Sequence, residues 1–280
     1  MPELPEVEAV RLSVEPLVLG RTVSDVIQSW HRTTLPLSPK LFCERLLGQS
    51  IVSSTRIGKY LMLHTQSGGT LLVHLRMTGQ LLGILTKDEA LRHERLRVVF
   101  KDGSALAFVD QRKFGRVQIL NADEFKKSPS LLGLGPDALN GKLSAKVIQQ
   151  QLSKRKISIK AALLDQSLMA GLGNIYVDEA LFRSGIHPLR LANSLTLPEV
   201  TRLFKEVRAV LKESIRYQGT TFRDYRTAKG EKGGFFERLF VYGQTGKLCR
   251  RCKKSTIQKI RVAQRGTHVC ERCQKRLDDL

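Results

Sequence analysis

The sequence predicts an α+β protein, in which an N-terminal helix and a β-sandwich domain precede a helical domain that ends in a four-cysteine zinc ribbon. Short apolar stretches separated by turn residues recur up to about residue 120, as in sandwiches and barrels. Helical periodicity takes over beyond residue 144, and two Cys-x-x-Cys pairs lie near the end. We therefore divide the 280 residues into four segments. They are the β-sandwich domain (1–125), a hinge linker (126–142), the helical domain (143–245) and the zinc ribbon (246–280).

The β-sandwich domain is predicted from one helix followed by short strands. Pro5 suits a first helical position, and apolar residues follow at helical spacing, namely Val7, Val10, Val14, Leu17 and Val18. The predicted strands are 60–64, 70–75, 97–100, 105–109 and 116–120. The first two strands flank a Ser-Gly-Gly turn, which predicts a hairpin between them.

The helical domain is predicted from caps and apolar periodicity. Ser144 suits the N-cap of a first helix, and Asn174, after a Gly-Leu-Gly turn, suits the N-cap of another. Thr196 and Glu199 form a capping-box pattern ahead of a long amphipathic run. Residues 218–234 are polar, basic and without periodicity, which indicates a functional or disordered loop.

The charge of the chain indicates a polyanionic partner. Lys and Arg number 47 against 26 acidic residues, for a formal charge of +21. Neutralising phosphates releases counterions, so such a chain favours nucleic acid. The basic residues do not gather in one amphipathic helix, which disfavours a membrane surface. No apolar run is long enough to span a bilayer and no secretory signal is visible, so we expect a cytoplasmic protein.

Four of the five cysteines predict a structural zinc site. Cys249-x-x-Cys252 and Cys270-x-x-Cys273 have the spacing of a four-thiolate site, and four protein ligands leave no position open for catalysis. The site would supply folding energy that so short a segment cannot obtain from burial. Many basic residues surround the ligands. Arg265 lies where a ribbon hairpin would turn, from which it could reach DNA.

The N-terminus predicts a nucleophile. Removal of Met1 would leave Pro2 as a secondary amine beside the carboxylate of Glu3. An α-amino group titrates near pH ~8, and its uncharged form can attack an electrophilic carbon to give an iminium. The positive end of the following helix disfavours the protonated amine.

Several motifs together resemble bacterial formamidopyrimidine-DNA glycosylases. They are the Pro-Glu-Leu-Pro-Glu start, 58–61, 74–79, 110–115, 171–179 and the terminal cysteines. The resemblance runs essentially end to end and implies a helix-two-turns-helix domain. It also implies a monomeric enzyme that removes oxidised purines such as 8-oxoguanine and formamidopyrimidines from double-stranded DNA. In that reading Pro2 forms a Schiff base with the deoxyribose, and Glu3 protonates the sugar ring oxygen. Lys59 and Arg265 then assist β- and δ-elimination.

The resemblance further implies a set of DNA contacts. Met77, Arg112 and Phe114, hereafter the wedge residues, would fill the space left by an extruded nucleotide. His93, Lys156 and Asn174 match further DNA contacts of the family. Arg112 matches a DNA contact in addition to its role as a wedge residue.

Departures from the family pattern keep alternatives open. Arg76 and Gln111 replace the usual Gly and Pro beside the wedge residues, which leaves the preferred lesion and opposite base undecided. Two other functions are therefore retained. One is an endonuclease VIII-like glycosylase for oxidised pyrimidines, although Leu4 disfavours it, because the third position after Met is usually Gly in that family. The other is a zinc protein that binds lesions without cutting.

Overall fold

The computed structural model describes residues 1–84, 91–141, 143–222 and 224–276. These form two compact units. The first contains Met1–Leu132 and Ile215–Phe236, and the second contains Gly133–Ser214 and the residues from Glu237 on. Within the described residues, no helix combines the length and apolar character needed to cross a bilayer.

The 218–234 loop packs with the first unit. Two hydrogen bonds join it to α1 (Leu4–Val18): Thr220 N donates to Glu6 Oε1 (2.7 Å), and Ala228 N donates to Ser13 Oγ (2.9 Å). One residue of this loop, at position 223, lies outside the described residues. The predicted domain boundaries at 125, 142 and 245 stay a prediction.

The first unit is a β-sandwich with helices at its margins, as predicted. Its sheets have the strand orders β1-β6-β7-β5 and β2-β3-β4-β8, and all pairs are antiparallel. The strands are β1 (Val23–Gln28), β2 (Ile51–Ile57), β3 (Tyr60–Thr65), β4 (Thr70–His74), β5 (Gly79–Ile84), β6 (Glu94–Phe100), β7 (Ala105–Asp110) and β8 (Arg116–Leu120). The other helices are α2 (Pro39–Leu46), α3 (Ala122–Lys126) and α4 (Pro129–Leu132), with a 3-10 helix at His31–Thr34.

Helix α1 holds the N-terminus against both sheets. It contacts β2 and β3 of one sheet and β5 of the other. Its buried face includes Val7, Val10 and Val14, which join a core with Leu63 and Phe108 from the two sheets. Burial of this stripe supplies most of the helix's stability, since isolated helices of this length are marginal in water.

The second unit combines short helices with a two-stranded ribbon. Its helices are α5 (Ala145–Leu152), α6 (Ile159–Leu164), α7 (Asn174–Ser184) and the part of α8 (Leu197–Arg216) that ends at Ser214. Further elements are the ribbon strands β9 (Gln258–Val262) and β10 (Arg265–Val269), and a 3-10 helix at Ala192–Ser194. The hydroxyl of buried Tyr176 in α7 forms a hydrogen bond with Ser214 Oγ in α8 (2.6 Å).

Glu179 attaches the segment ahead of the ribbon to α7. Its buried carboxylate accepts hydrogen bonds from the backbone N–H groups of Phe240, Val241 and Tyr242 at 2.8–2.9 Å. Burial raises the Glu179 pKa, and these N–H donors act against that rise. The predicted cap at Ser144 is present, because its Oγ accepts from Val147 N.

Candidate active site and nucleic-acid contact residues

The predicted nucleophile lies at the buried start of α1. Pro2 is buried, and Met1 before it is 54 % exposed. Glu3, only 2 % exposed, occupies the N-cap, and its backbone N–H donates to Glu6 Oε2 at 2.8 Å. A capping arrangement of this kind holds the chain direction at the helix entry. Pro2 and Glu3 are thus brought together in a defined conformation.

Glu6, which the sequence did not single out as a site residue, joins the N-terminus to the 218–234 loop. It is 1 % exposed, and its carboxylate accepts from Glu3 N and Thr220 N. Gly219 before Thr220 has φ +81°, and a Cβ there would lie 3.0 Å from Glu6 Oε1. Burial and then the charge of Glu6 raise the pKa of Tyr225. The available sequence signal was the Glu3–Glu6 capping spacing, which does not reveal Thr220 as a partner.

Lys59 lies in the β2–β3 turn and is only 7 % exposed. The turn uses Gly58 at φ +56°, whose carbonyl accepts from Arg56 Nη1 at 2.8 Å. Arg56 also pairs with Glu8 of α1 at 3.0 Å (Nε–Oε2). Burial would raise the Glu8 pKa, but Arg11 and Arg56 outweigh burial and lower it. This ion pair anchors the Lys59 turn to the helix that begins just after Pro2.

His74, part of the 74–79 motif but not a predicted site residue, is held neutral beside this turn. Burial, followed by the positive charges of Arg76 and Lys59, lowers its pKa to about 3. Arg76 N donates to His74 Nδ1 at 3.0 Å, which places the imidazole proton on Nε2. His74 therefore offers an N–H donor without carrying charge.

The wedge residues come together on two neighbouring turns. Met77 lies between β4 and β5, and Arg112 and Phe114 lie between β7 and β8. Arg112 Nη1 lies 3.1 Å from Met77 Sδ, and the Arg112 guanidinium carbon lies 4.8 Å from the Phe114 ring centroid. Met77 and Phe114 are 43 % and 50 % exposed. Exposed apolar side chains beside a guanidinium suit insertion between bases.

Lys113, between Arg112 and Phe114, contacts an aromatic ring. Its backbone is left-handed (φ +60°), and its ammonium lies 4.2 Å from the centroid of Trp30. A cation over an indole face is favourable. His93, a predicted DNA contact, is half-buried with φ +65°, and its carbonyl accepts from Asp110 N.

The second unit contains the other predicted DNA contacts. Asn174 is the first residue of α7, whereas the sequence placed it at the N-cap, which Gly173 occupies. Its side chain is therefore free of the cap, and Nδ2 donates to Gly266 O in the ribbon at 2.9 Å. Arg265 is exposed at the start of β10, directly after the Ala263–Gln264 turn. Lys156 is exposed ahead of α6 and is not brought to these residues by any contact among those described.

A buried ion pair that the sequence did not reveal holds the ribbon tip. Lys160 and Asp178 are fully buried, with Nζ 2.6 Å from Oδ1. Lys160 Nζ also donates to Thr267 Oγ1 (2.8 Å), and Asp178 Oδ2 accepts from His268 N (2.8 Å). Both partners are satisfied, as a buried pair requires. The strand that begins with Arg265 is thereby attached to α6 and α7.

The four predicted cysteine ligands form one cluster. All four Sγ atoms lie within 4.8 Å of one another. Cys249 and Cys273 Sγ are 3.8 Å apart, as are Cys252 and Cys270 Sγ. A tetrahedral zinc with Zn–S bonds of about 2.3 Å requires about 3.8 Å between sulfur atoms. The donor set and its dimensions therefore fit a closed four-thiolate zinc site.

Three family models match successive stretches of the chain. Residues 1–117 match the formamidopyrimidine-DNA glycosylase N-terminal domain, 134–226 its H2TH domain, and 246–276 the zinc finger found in FPG and IleRS. Formamidopyrimidine-DNA glycosylases of Desulfitobacterium hafniense and Geobacillus kaustophilus are each 42 % identical, covering 98 % of this chain and 100 % of theirs.

Solved structures agree with these matches. A Lactococcus lactis FPG mutant in complex with Fapy-dG containing DNA aligns with a TM-score of 0.92 and 34 % identity. The Lactococcus lactis Fpg in complex with an abasic site containing DNA aligns with a TM-score of 0.91, also at 34 % identity. Each alignment covers 98 % of this chain and 100 % of the other. The chain therefore belongs to the formamidopyrimidine-DNA glycosylase family, whose members are DNA-binding repair glycosylases with a zinc finger.

Proposed function

We propose that this protein is a bifunctional glycosylase and abasic-site lyase that removes oxidised purines from double-stranded DNA. The observation that carries the proposal is the buried Pro2–Glu3 start, which Glu6 anchors while Met1 stays exposed. Structural relatives in complex with Fapy-dG or abasic-site DNA support the substrate class. The chemistry requires that Met1 be removed, because the nitrogen of Pro2 is otherwise an amide.

The proposed reaction begins with base release. The Pro2 nitrogen forms a bond to the sugar C1′, the bond between C1′ and the base breaks, and the proton that the Pro2 amine loses goes to the leaving base. Glu3 donates a proton to the ring oxygen as the sugar opens, which yields an iminium on Pro2. An acid beside the amine is needed because an unprotonated ring oxygen is a poor leaving group.

The strand breaks follow from the iminium, which acts as an electron sink. Loss of a C2′ proton to water breaks the C3′–O bond and expels the 3′ phosphate, to which Lys59 donates a proton in this β-elimination. In the δ-elimination, loss of the C4′ proton to water breaks the C5′–O bond and expels the 5′ phosphate, assisted by Arg265. Water then hydrolyses the remaining iminium and restores the Pro2 amine. His93, Arg112, Lys156 and Asn174 would contact the DNA during these steps.

We also propose one structural zinc ion on the four clustered cysteines. Their geometry fits zinc, and the zinc-finger match supports this metal. The metal would hold the ribbon that presents Arg265 and would supply no reacting group. The protein would act as a monomer. Its compartment would be the cytoplasm, since reduced thiolates suit a reducing environment. Size-exclusion chromatography with light scattering would test the monomer.

Borohydride trapping tests the enzymatic proposal. Purified protein is incubated with a duplex that contains one 8-oxoguanine opposite cytosine, and mass spectrometry locates the DNA-linked residue. An adduct on Pro2 is expected, with none on an undamaged duplex. Preferential trapping on dihydrouracil would instead favour the oxidised-pyrimidine activity. Binding without any adduct, on abasic DNA too, would leave a lesion-binding protein.

A further inference from the structure

One buried carboxylate ties together the segments that carry the predicted wedge. Asp110, the last residue of β7, is 1 % exposed. Its Oδ1 accepts from Thr78 Oγ1 at 2.5 Å and from Arg112 N at 3.1 Å, and its Oδ2 accepts from Gly115 N at 2.7 Å. Its backbone N–H donates to His93 O at 3.0 Å. Three segments with predicted DNA contacts therefore converge on this residue.

The two turns that carry the wedge residues, hereafter the wedge turns, each require a glycine. A Cβ at Gly79 would lie 2.4 Å from Leu75 O, and one at Gly115 would lie 2.2 Å from Phe108 Cζ. Both distances are far below van der Waals contact, so each turn needs its glycine. Because Gly79 is the register partner of Asp110, strand pairing brings the turns side by side.

Thr78 links the two turns directly. Its hydroxyl donates to Asp110 Oδ1, and Thr78 Oγ1 itself accepts from Arg112 N at 3.2 Å. Thr78 follows Met77 in the chain, and Arg112 is itself a wedge residue. Hydrogen bonds to a charged acceptor are stronger than neutral ones, and a buried acceptor holds its donors in a narrow range of positions.

We infer that Asp110 is a positioning residue that aligns the three wedge side chains for insertion into DNA, and that it has no part in the covalent steps at Pro2. The inference rests on the proposed function, since it presumes that these side chains fill the vacated space. Displacement of either turn would separate Arg112 from Met77 and would lower the occupancy of the inserted arrangement.

The test separates base extrusion from covalent chemistry. Asp110→Asn puts an amide where the carboxylate accepts from both turns, so one N–H or O–H donor loses its acceptor. We expect excision of 8-oxoguanine from a duplex to fall about 10- to 100-fold in kcat/KM. Borohydride trapping on a single-stranded abasic oligonucleotide, where no base is extruded, should stay within about twofold of wild type, a change of about 0.4 kcal/mol.

Asp102→Asn is the matched control, at the opposite end of the same strand. Asp102 lies in the β6–β7 turn and also accepts two hydrogen bonds, from Ser104 N (3.0 Å) and Ser104 Oγ (2.6 Å). Its side chain is 50 % exposed and lies outside the wedge turns. Both activities should match wild type in this variant.

Thr78 variants keep the inference testable if Asp110→Asn does not fold. Thr78→Val removes the hydroxyl at constant shape, and Thr78→Ser restores it. Excision should fall in the first and recover in the second, with trapping on the single-stranded abasic substrate unchanged in both. Recovery by serine would not be expected if only packing mattered.

A double-mutant cycle with Met77→Ala tests the route of the effect. If Asp110 acts through the wedge, Asp110→Asn should cost little more once Met77 has been truncated. Additive losses, or equal losses of duplex excision and single-strand trapping, would overturn the inference. If wild type neither excises nor traps, the proposed function itself is wrong, so the two failures remain distinguishable.

Discussion

At the scale of single residues, Glu6 connects the N-terminus to the 218–234 loop. Glu6→Gln replaces an acceptor of two backbone N–H groups by an amide that can satisfy only one of them well. We expect the free energy of unfolding to fall by about 1–3 kcal/mol, the cost of an unsatisfied buried donor. Trapping on Pro2 should also weaken, because the Glu3 backbone loses its anchor. Urea unfolding and borohydride trapping measure the two effects.

Glu44→Gln controls for the change of charge. Glu44 is 54 % exposed and pairs only loosely with Lys40, at 3.9 Å. Exposed pairs of this kind contribute little, so stability and trapping should both match wild type. An equal loss in the two variants would show that the Glu6 junction has no special role.

His74 predicts a pH dependence of stability. Its folded pKa of about 3 lies below its ordinary value of 6.5, so the unfolded chain binds the proton more readily. The contribution is therefore fully present above pH 6.5 and is lost as the pH falls towards 3. His74→Gln should flatten this dependence by about 1.4 kcal/mol per pH unit between pH 4 and 6. Urea unfolding across this range provides the measurement.

The exposed His31 provides the comparison for that experiment. His31→Gln should keep the wild-type slope, since its ring makes no buried hydrogen bond among the described residues. A proton NMR titration that finds the His74 resonance changing near pH 6.5 would contradict the neutral, buried assignment.

At the scale of elements, the start of α8 is held by one half of the capping box that the sequence predicts, and Thr196 Oγ1 also donates to the Glu199 carboxylate (2.9 Å). Thr196 N donates to Glu199 Oε2 at 2.8 Å, and Arg190 pairs with the same carboxylate. Burial raises the Glu199 pKa, but Arg190 and Thr196 outweigh it and lower the pKa to about 2. This stabilisation is present above pH 4.5 and is lost as the pH falls towards 2.

Glu199→Gln should therefore move the acid-unfolding midpoint to higher pH, because the native state has lost a contribution that persists to low pH. Circular dichroism at the helical minimum would follow the transition. Glu206→Gln, on the same helix, is the matched control and should leave the midpoint in place. Identical midpoints in all three proteins would contradict the proposed role of the cap.

The elements that sequence reasoning identified differ systematically from those it missed. The predicted strands became β3, β4, β6, β7 and β8, whereas β1, β2 and β5 were not predicted. The three missed strands all lie at sheet edges, and β8, the remaining edge strand, was predicted because Val117 and Ile119 alternate with polar residues. Edge strands are buried on little of their surface and tolerate polar residues, so their apolar alternation is weak. Central strands carry the stronger signal.

Part of the candidate site was visible in the sequence, because it consists of short motifs. Pro2, Glu3 and the cysteines could be chosen from neighbouring residues and their spacing. Glu6–Thr220, Thr78–Asp110 and Lys160–Asp178 could not, since each joins segments that only the fold brings together. Periodicity reports which face of an element is buried, and it carries no information on partners distant in sequence.

At the scale of the whole molecule, the cluster of four cysteines predicts that folding of the ribbon and DNA binding depend on zinc. We expect one zinc per chain by mass spectrometric metal analysis, and loss of DNA binding after removal by a strong chelator. Structural zinc supplies folding energy directly, so the ribbon should unfold with the metal. Cys249→Ser should lose the metal in the same way.

Cys43→Ser is the control, because Cys43 lies in α2 and outside the cluster. It should keep both zinc and DNA binding. Full metal content in Cys249→Ser would show that the four thiolates do not act together.

The contact between Lys113 and Trp30 gives the protein an intrinsic optical reporter. Trp30 is the only tryptophan in the sequence, so its emission has a single source. The ammonium 4.2 Å from the ring belongs to the same turn as Arg112 and Phe114. Indole emission responds to nearby charge, so movement of this turn on lesion-containing DNA should shift the spectrum in real time, without any attached dye. Lys113→Met, which keeps the chain length and removes the charge, should abolish most of that shift.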